Sequence, residues 1–307
     1  SIDEFGVSGQ FVLDAVPSDT YSINSFEFLA FDGDDPYHAA NVDRSSSILL
    51  DSWGNSHLTS NQNRTNAFAM TLLITEIHPA GVLPDPVIIF AADRRISSQG
   101  RYHGIKKKLF AVPSLRAGLG FFGLAEFSSG NRKIEMSEWL KSYIVKRSRN
   151  PGTLEELAHA LAGELNSLVP RHLREKYISG FHLAGISRDG MPEFWFIRNV
   201  EDDRTTLTGT YSAREDFITR DAPKLITGDF AIYRNGDIRG HVAAWELFDQ
   251  AFVMLLNQQD FHRLKTSNDY ANWLKFKMEV LSYFYKKYSR NSVIGRPIDT
   301  LVIKGGD

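Results

Sequence analysis

The sequence has no cysteine. That single absence excludes disulfides, thiolate metal sites and a cysteine nucleophile. No apolar run approaches the ~18 residues that a membrane-spanning helix needs, so no membrane association is expected. Neither sign of charge dominates: 35 Lys and Arg stand against 37 Asp and Glu, a net charge of -2. Without a global basic field, nucleic acid is not an expected partner. The nine His are scattered, with no HExxH or other close pair, so no metal site is expected. The first twenty residues lack Lys, Arg and any long apolar stretch, unlike a secretory signal peptide. Together these features predict a soluble, cytoplasmic protein. What is present is ordinary for a globular chain: 42% hydrophobic residues and 23 glycines over 307 positions, enough for one large domain or two smaller ones.

The charge is unevenly placed. Residues 1–69 hold ten Asp or Glu, two Arg and no Lys, a local charge of -8. That segment is also rich in Ser and Asn, with short apolar runs FVLDAV, FEFLAF and SSILLDSW between loop-like stretches. It reads as an acidic N-terminal extension, either a small sub-domain or a pro-segment. From Met70 the pattern changes to strands, which places the domain boundary at 69/70.

TLLITEI (71–77) and VIIFAAD (87–93) read as a hairpin across the turn GVLPDP. KKKLFAV (106–112) and RAGLGFFG (116–123) read as a second pair, with Lys106 and Lys108 on one face and Lys107 on the other. A helix is predicted over 134–147. A second opens at Thr153, whose spacing from Glu156 is that of a capping box. Strands follow at 180–186, 193–198 and 205–211, then helices at 241–256 and about 270–288, and a last strand at 297–304. Strands and helices therefore come in blocks, not in single alternation, which argues against a doubly wound parallel sheet.

Gly118, Gly120 and Gly123 match GxGxxG, but a dinucleotide fingerprint needs a strand that turns directly into a helix. Here LAEFSSGNRK intervenes. Close packing of a glycine-rich strand is the better explanation, and no cofactor is expected. Three consecutive lysines at 106–108 are too few for a nucleic-acid patch.

The spacing of four motifs is more informative. Met70-Thr71-Leu72-Leu73-Ile74 opens a strand, and Ala91-Ala92-Asp93-Arg94-Arg95 closes the next. Lys107-Lys108-Leu109-Phe110 and Phe122-Gly123-Leu124-Ala125-Glu126 then follow in order. This series resembles the proteasome β-subunit family, including its bacterial relatives among the N-terminal-nucleophile hydrolases. FHLAGISRDGMPEFWFI and GRPIDTLVI are similar to later parts of the same family. The resemblance spans about 70–307.

The resemblance implies an α+β fold, a four-layer αββα sandwich of two antiparallel sheets. It implies threonine-type hydrolysis of peptide amide bonds through an acyl-enzyme at Thr71. Lys108 would activate Thr71, Asp93 would hold Lys108, Arg95 would support the network, and the Gly123 N–H would form the oxyanion hole. By the same resemblance Phe121 would line the base of a substrate pocket. The expected partners are a peptide or protein substrate and further copies of the chain, because aromatic residues such as Trp139, Tyr143, Trp245, Phe248 and Phe252 exceed what one sandwich face needs.

The sequence departs from the family pattern in places. Met70 stands where a glycine usually precedes the nucleophile. Asp229 stands in the turn where a Ser is expected, and Asn291 where an Asp is expected. These departures keep two alternatives open: a catalytically inactive proteasome-like subunit with an assembly role, and a small-molecule amidohydrolase of the same fold.

Overall fold

The computed structural model describes residues 72–78, 80, 83–98, 101–129, 131–200, 212–222, 230–236, 254–255, 258, 264–289, 292 and 294–306. Strands β1 (Leu72–His78) and β2 (Val87–Asp93) are buried along their whole length. A strand covered on both faces has no reason to alternate apolar with polar residues, which accounts for the near-continuous apolar runs. β2 leads into a short hairpin, β3 (Arg95–Ser98) and β4 (Arg101–Ile105), and then into β5 (Leu109–Val112) and β6 (Ala117–Phe122). A second short hairpin, β7 (Glu126–Ser129) and β8 (Arg132–Glu135), precedes helices α1 (Met136–Arg147), α2 (Leu154–Leu168) and the single-turn α3 (Arg171–Arg174). β9 (Gly180–Ile186), β10 (Pro192–Val200), β11 (Ala213–Asp221) and β12 (Ala231–Gly236) follow, then α4 (Ser267–Tyr288) and β13 (Ile298–Lys304).

Two larger antiparallel sheets result, in the orders β12-β1-β2-β13 and β11-β10-β9-β6-β5. Alternation along β1 divides its side chains between two cores. Leu72 and Ile74 pack with Leu274, Met278 and Leu281 of α4. Leu73 and Ile77 face the other way, toward Leu109, Phe122, Ala184 and Phe196 of the second sheet. The far side of that sheet buries Leu119, Leu183 and Ile197 against Leu140 of α1 and Leu157, Leu161 and Leu165 of α2. The described residues are thus α+β, with two antiparallel sheets face to face, α4 outside the first, and α1 and α2 outside the second.

Local signals place several elements as the sequence predicts. Thr153 caps α2: its hydroxyl accepts from the Glu156 N–H at 3.1 Å, and the Glu156 carboxylate accepts from the Thr153 N–H at 3.0 Å. The same box recurs at Thr266 and Asp269, so α4 starts at Ser267 instead of near 270. The glycines of the GxGxxG match bring the two sheets together. A Cβ on Gly118 would lie 2.4 Å from the Phe90 ring, and one on Gly120 would lie 2.6 Å from Leu73. β6 runs on into the β7–β8 hairpin, not into a helix.

Two readings need correction. Lys106, Lys107 and Lys108 precede β5 instead of belonging to it. Residues 134 and 135, read as the start of a helix, end the second of two short hairpins, β7 and β8, and the helix begins at Met136. The strand following β10 spans Ala213–Asp221, while the predicted strand 205–211 lies outside the described residues, as does the predicted helix 241–256 apart from 254–255. The apolar runs of residues 1–69 also lie outside them.

Antiparallel pairing brings several chain ends to one edge. Leu72 pairs with Gly236, and Ile298 pairs with Asp93, so both β1 and β13 begin where β2 and β12 end. In the second sheet Leu109 pairs with Gly120 and Phe122 with Gly180. Lys108 joins the two edges through Asp93.

Candidate active site

Asp93 ends β2 with no exposed surface. Its Oδ1 accepts from the Leu72 N–H at 2.9 Å and from Lys108 Nζ at 3.0 Å. Its Oδ2 accepts from the Gly295 N–H at 3.4 Å. Lys108 Nζ also donates to the Arg95 carbonyl at 2.8 Å. The lysine is only 2% exposed. Local geometry makes this possible: after the β3–β4 excursion the chain returns beside β2, where the Lys106 N–H meets the Arg94 carbonyl at 2.8 Å and the Arg94 N–H meets the Pro297 carbonyl at 2.9 Å.

Burial pushes the Lys108 amine below its ordinary pKa, because a desolvated ammonium is disfavoured; attraction and hydrogen bonding from Asp93 oppose that shift. An amine displaced in this way, fixed by one carboxylate and one carbonyl, is suited to influencing proton transfer nearby. Thr71 lies outside the described residues. Leu72, its covalent neighbour, places its N–H on the same Asp93 oxygen that holds Lys108.

Arg95 enters the cluster through its carbonyl. Its guanidinium stacks over the Tyr102 ring at 5.0 Å, and its Nε has no hydrogen-bond partner among the described residues. Gly123 follows β6 with φ 84, and a Cβ there would lie 2.4 Å from the Ile178 carbonyl oxygen, so glycine is required. The neighbouring N–H groups are engaged: Phe121 donates to the Lys108 carbonyl at 3.2 Å and Leu124 to Ser179 Oγ at 2.9 Å. Among the described residues the Gly123 N–H has no acceptor.

Unlike Phe122, Phe121, expected to line the base of a pocket, points to the helix side of its sheet. It is 1% exposed, with its ring 6.5 Å from that of Phe110 and 6.2 Å from that of Phe181. Alternation explains the difference: Gly118, Gly120 and Phe122 face the first sheet, so Ala117, Leu119 and Phe121 must face the helices. Asp229 and Asn291 lie outside the described residues. Gly295 contributes an N–H that reaches Asp93. Sequence reasoning missed it, since a backbone donor has no side-chain signature.

Two further buried polar clusters lie along β1. Between the sheets, Thr75 Oγ1 lies 2.8 Å from His182 Nδ1, and His182 Nε2 meets Asn235 Oδ1. Burial lowers the His182 pKa to about 3, against a raising hydrogen bond from Asn235 and with further lowering by Arg198. The ring is therefore neutral near pH 7, with Nε2–H donating to Asn235 and Nδ1 accepting from Thr75. Beneath α4, Glu76 lies 3.4 Å from Lys277 and 3.4 Å from His78. Burial alone would raise its pKa, but the Lys277 charge and the His78 contact bring it to about 2.

No group of three or more His, Cys, Asp or Glu suited to a metal ion occurs among the described residues. No described helix is long and apolar enough to cross a membrane. No protein-family model matches the chain, and no curated protein matches it.

Proposed function

We propose that this chain is a threonine-type N-terminal-nucleophile hydrolase, built as an αββα sandwich, that cleaves peptide amide bonds through an ester on Thr71. The observation that carries the reading is the buried Asp93–Lys108 pair bound to the N–H of Leu72, the residue next to Thr71. By its composition and its resemblance to the proteasome β-subunit family, the chain would be a soluble, oligomeric enzyme of the cytoplasm acting on a peptide or protein.

The chemistry follows from the groups. With residues 1–70 removed, the Thr71 amine has an unperturbed pKa near ~8 and can accept the hydroxyl proton of its own side chain. A protonated Lys108 nearby favours the alkoxide by opposite charge and the neutral amine by like charge. Oγ then bonds to the substrate carbonyl carbon, and the oxygen that gains charge is met by the Gly123 N–H. Collapse breaks the C–N bond, with the proton from the Thr71 ammonium passing to the leaving amine. Water, deprotonated by the same amine, hydrolyses the ester and restores the hydroxyl. While Thr71 is inside the chain its nitrogen is an amide, and this sequence cannot begin.

Peptide-library hydrolysis by the full chain, by a chain beginning at Thr71 and by its Thr71→Ala variant tests the reading. Activity is expected from the Thr71-start chain alone. A folded Thr71-start chain that cleaves no peptide would turn the assignment toward a non-catalytic subunit.

A further inference from the structure

The turn that carries Gly123 is held by a side-chain network that the hydrolase reading does not use. Ser179 is 3% exposed and stands directly before β9. Its Oγ accepts the Leu124 N–H at 2.9 Å, fixing the peptide group on the C-terminal side of Gly123. The Ser179 N–H donates in turn to Asn199 Oδ1 at 2.7 Å. Asn199, with no exposed surface, spends both protons of its amide nitrogen on the carbonyls of Arg174 at 2.7 Å and Tyr177 at 2.9 Å. Its own N–H donates to the Ser179 carbonyl at 3.2 Å. Asn199 sits where the pairing of β10 with β11 shifts register, between Arg198 and Val200.

Every polar atom of the Asn199 side chain is thus committed to the segment that delivers Ser179, and the Ser179 hydroxyl oxygen is committed to the Gly123 turn. On the N-terminal side, Phe122 is held by its pairing with Gly180. The turn is therefore fixed from both sides, and the one N–H between the two anchors, that of Gly123, has no acceptor among the described residues. A donor aimed at developing charge is effective when it needs no reorganisation during the reaction.

We infer that Ser179, anchored by Asn199, is a positioning residue that aims the Gly123 N–H at the substrate carbonyl oxygen. This assignment rests on the hydrolase reading above. It makes Ser179 important for attack on a carbonyl and unimportant for reactions of Thr71 in which no oxyanion forms.

Two electrophiles separate these cases on a chain beginning at Thr71. A β-lactone requires Oγ to attack a carbonyl, forming an ester as the ring C–O bond breaks and the ring oxygen takes the proton. A peptide vinyl sulfone adds Oγ to its β-carbon while the proton goes to the α-carbon, with no carbonyl oxyanion. Ser179→Ala should slow the lactone reaction about 10- to 100-fold while changing vinyl-sulfone addition less than about threefold. Ser179→Thr, which keeps the hydroxyl, should restore the lactone rate. Ser179→Cys, which keeps a side chain of the same shape but weakens the acceptor, should show the same split as alanine without opening a cavity. Equal loss with both electrophiles, or no loss with either, would overturn the assignment while leaving the hydrolase reading intact. A parent chain that reacts with neither electrophile would end both.

Discussion

Two buried lysine–carboxylate pairs occupy this molecule, and their surroundings differ in an instructive way. Lys108 and Asp93 sit where the edges of the two sheets meet, 3.0 Å apart, with side chains 2% and 0% exposed. Lys277 and Glu76 sit beneath α4, 3.4 Å apart and 5% and 3% exposed. In the first, two backbone N–H groups share the carboxylate with the lysine, and burial pushes the Lys108 amine downward against the opposing attraction of Asp93. In the second, the carboxylate is displaced, to about 2, because burial is outweighed by Lys277 and His78. Beneath the helix the pair locks an ionised carboxylate in place; at the sheet edge the carboxylate also holds the N–H of Leu72, the residue next to the proposed nucleophile.

The largest expected effect separates the pairs by function. Lys108→Met keeps the apolar stem and removes the amine, so peptide hydrolysis by the Thr71-start chain should fall by about 10³-fold or more while the protein stays folded. Lys107→Ala serves as its control. That side chain is exposed, and the substitution should leave activity unchanged and stability within about 0.5 kcal/mol. Steady-state kinetics with circular dichroism of the three proteins checks both statements.

Next comes stability. Glu76→Gln leaves Lys277 buried beside a neutral amide and should cost about 3–5 kcal/mol in urea unfolding. Replacing both partners, Glu76→Leu with Lys277→Met, should recover most of that loss, because the desolvation of two charges disappears with their attraction. If the double variant is as unstable as the single one, the helix-side pair is more than an anchoring device and the comparison fails.

The pH dependence is smaller and has a definite sign. Folded His182 titrates near about 3 and an ordinary histidine near 6.5, so between those values the unfolded chain binds the extra proton and stability falls as pH falls. Glu76, lowered from 4.5 to about 2, adds a second loss over that lower window, since its stabilisation is complete only above 4.5. Each contributes up to about 1.4 kcal/mol per pH unit within its window. His182→Gln should flatten the curve between pH 6.5 and 4.5 and reduce its slope between 4.5 and about 3, leaving the Glu76 contribution, as read from urea midpoints across pH.

How much of this was legible in the sequence depends on where each residue's partners lie. The long elements were readable because their apolar periodicity is imposed by burial: β1, β2, β6, β9, α1 and α2 fall close to their predicted bounds. The hairpins RISS/RYHGI and EFSS/RKIE were not, because strands of four or five mostly polar residues are held by pairing with each other and carry little burial signal. Asp93 and Lys108 were singled out by motif spacing, and the fold brings them together across fifteen residues. The side of the sheet on which Phe121 packs has a clue in the sequence. The small residues Gly118 and Gly120 mark the face of β6 that approaches the other sheet, which sends Phe121 to the opposite one. Gly295, Ser179 and Asn199 act through backbone groups or through partners remote in sequence, so no local pattern announces them.

The central claim is that the Asp93–Lys108 pair serves the hydroxyl of Thr71. Time-resolved intact mass with peptide mapping, on the Thr71-start chain treated with a β-lactone, addresses it directly. A single adduct on Thr71 is expected, formed at least about 10³-fold more slowly in Lys108→Met. An adduct elsewhere, or one that forms at the same rate without the lysine, would contradict it.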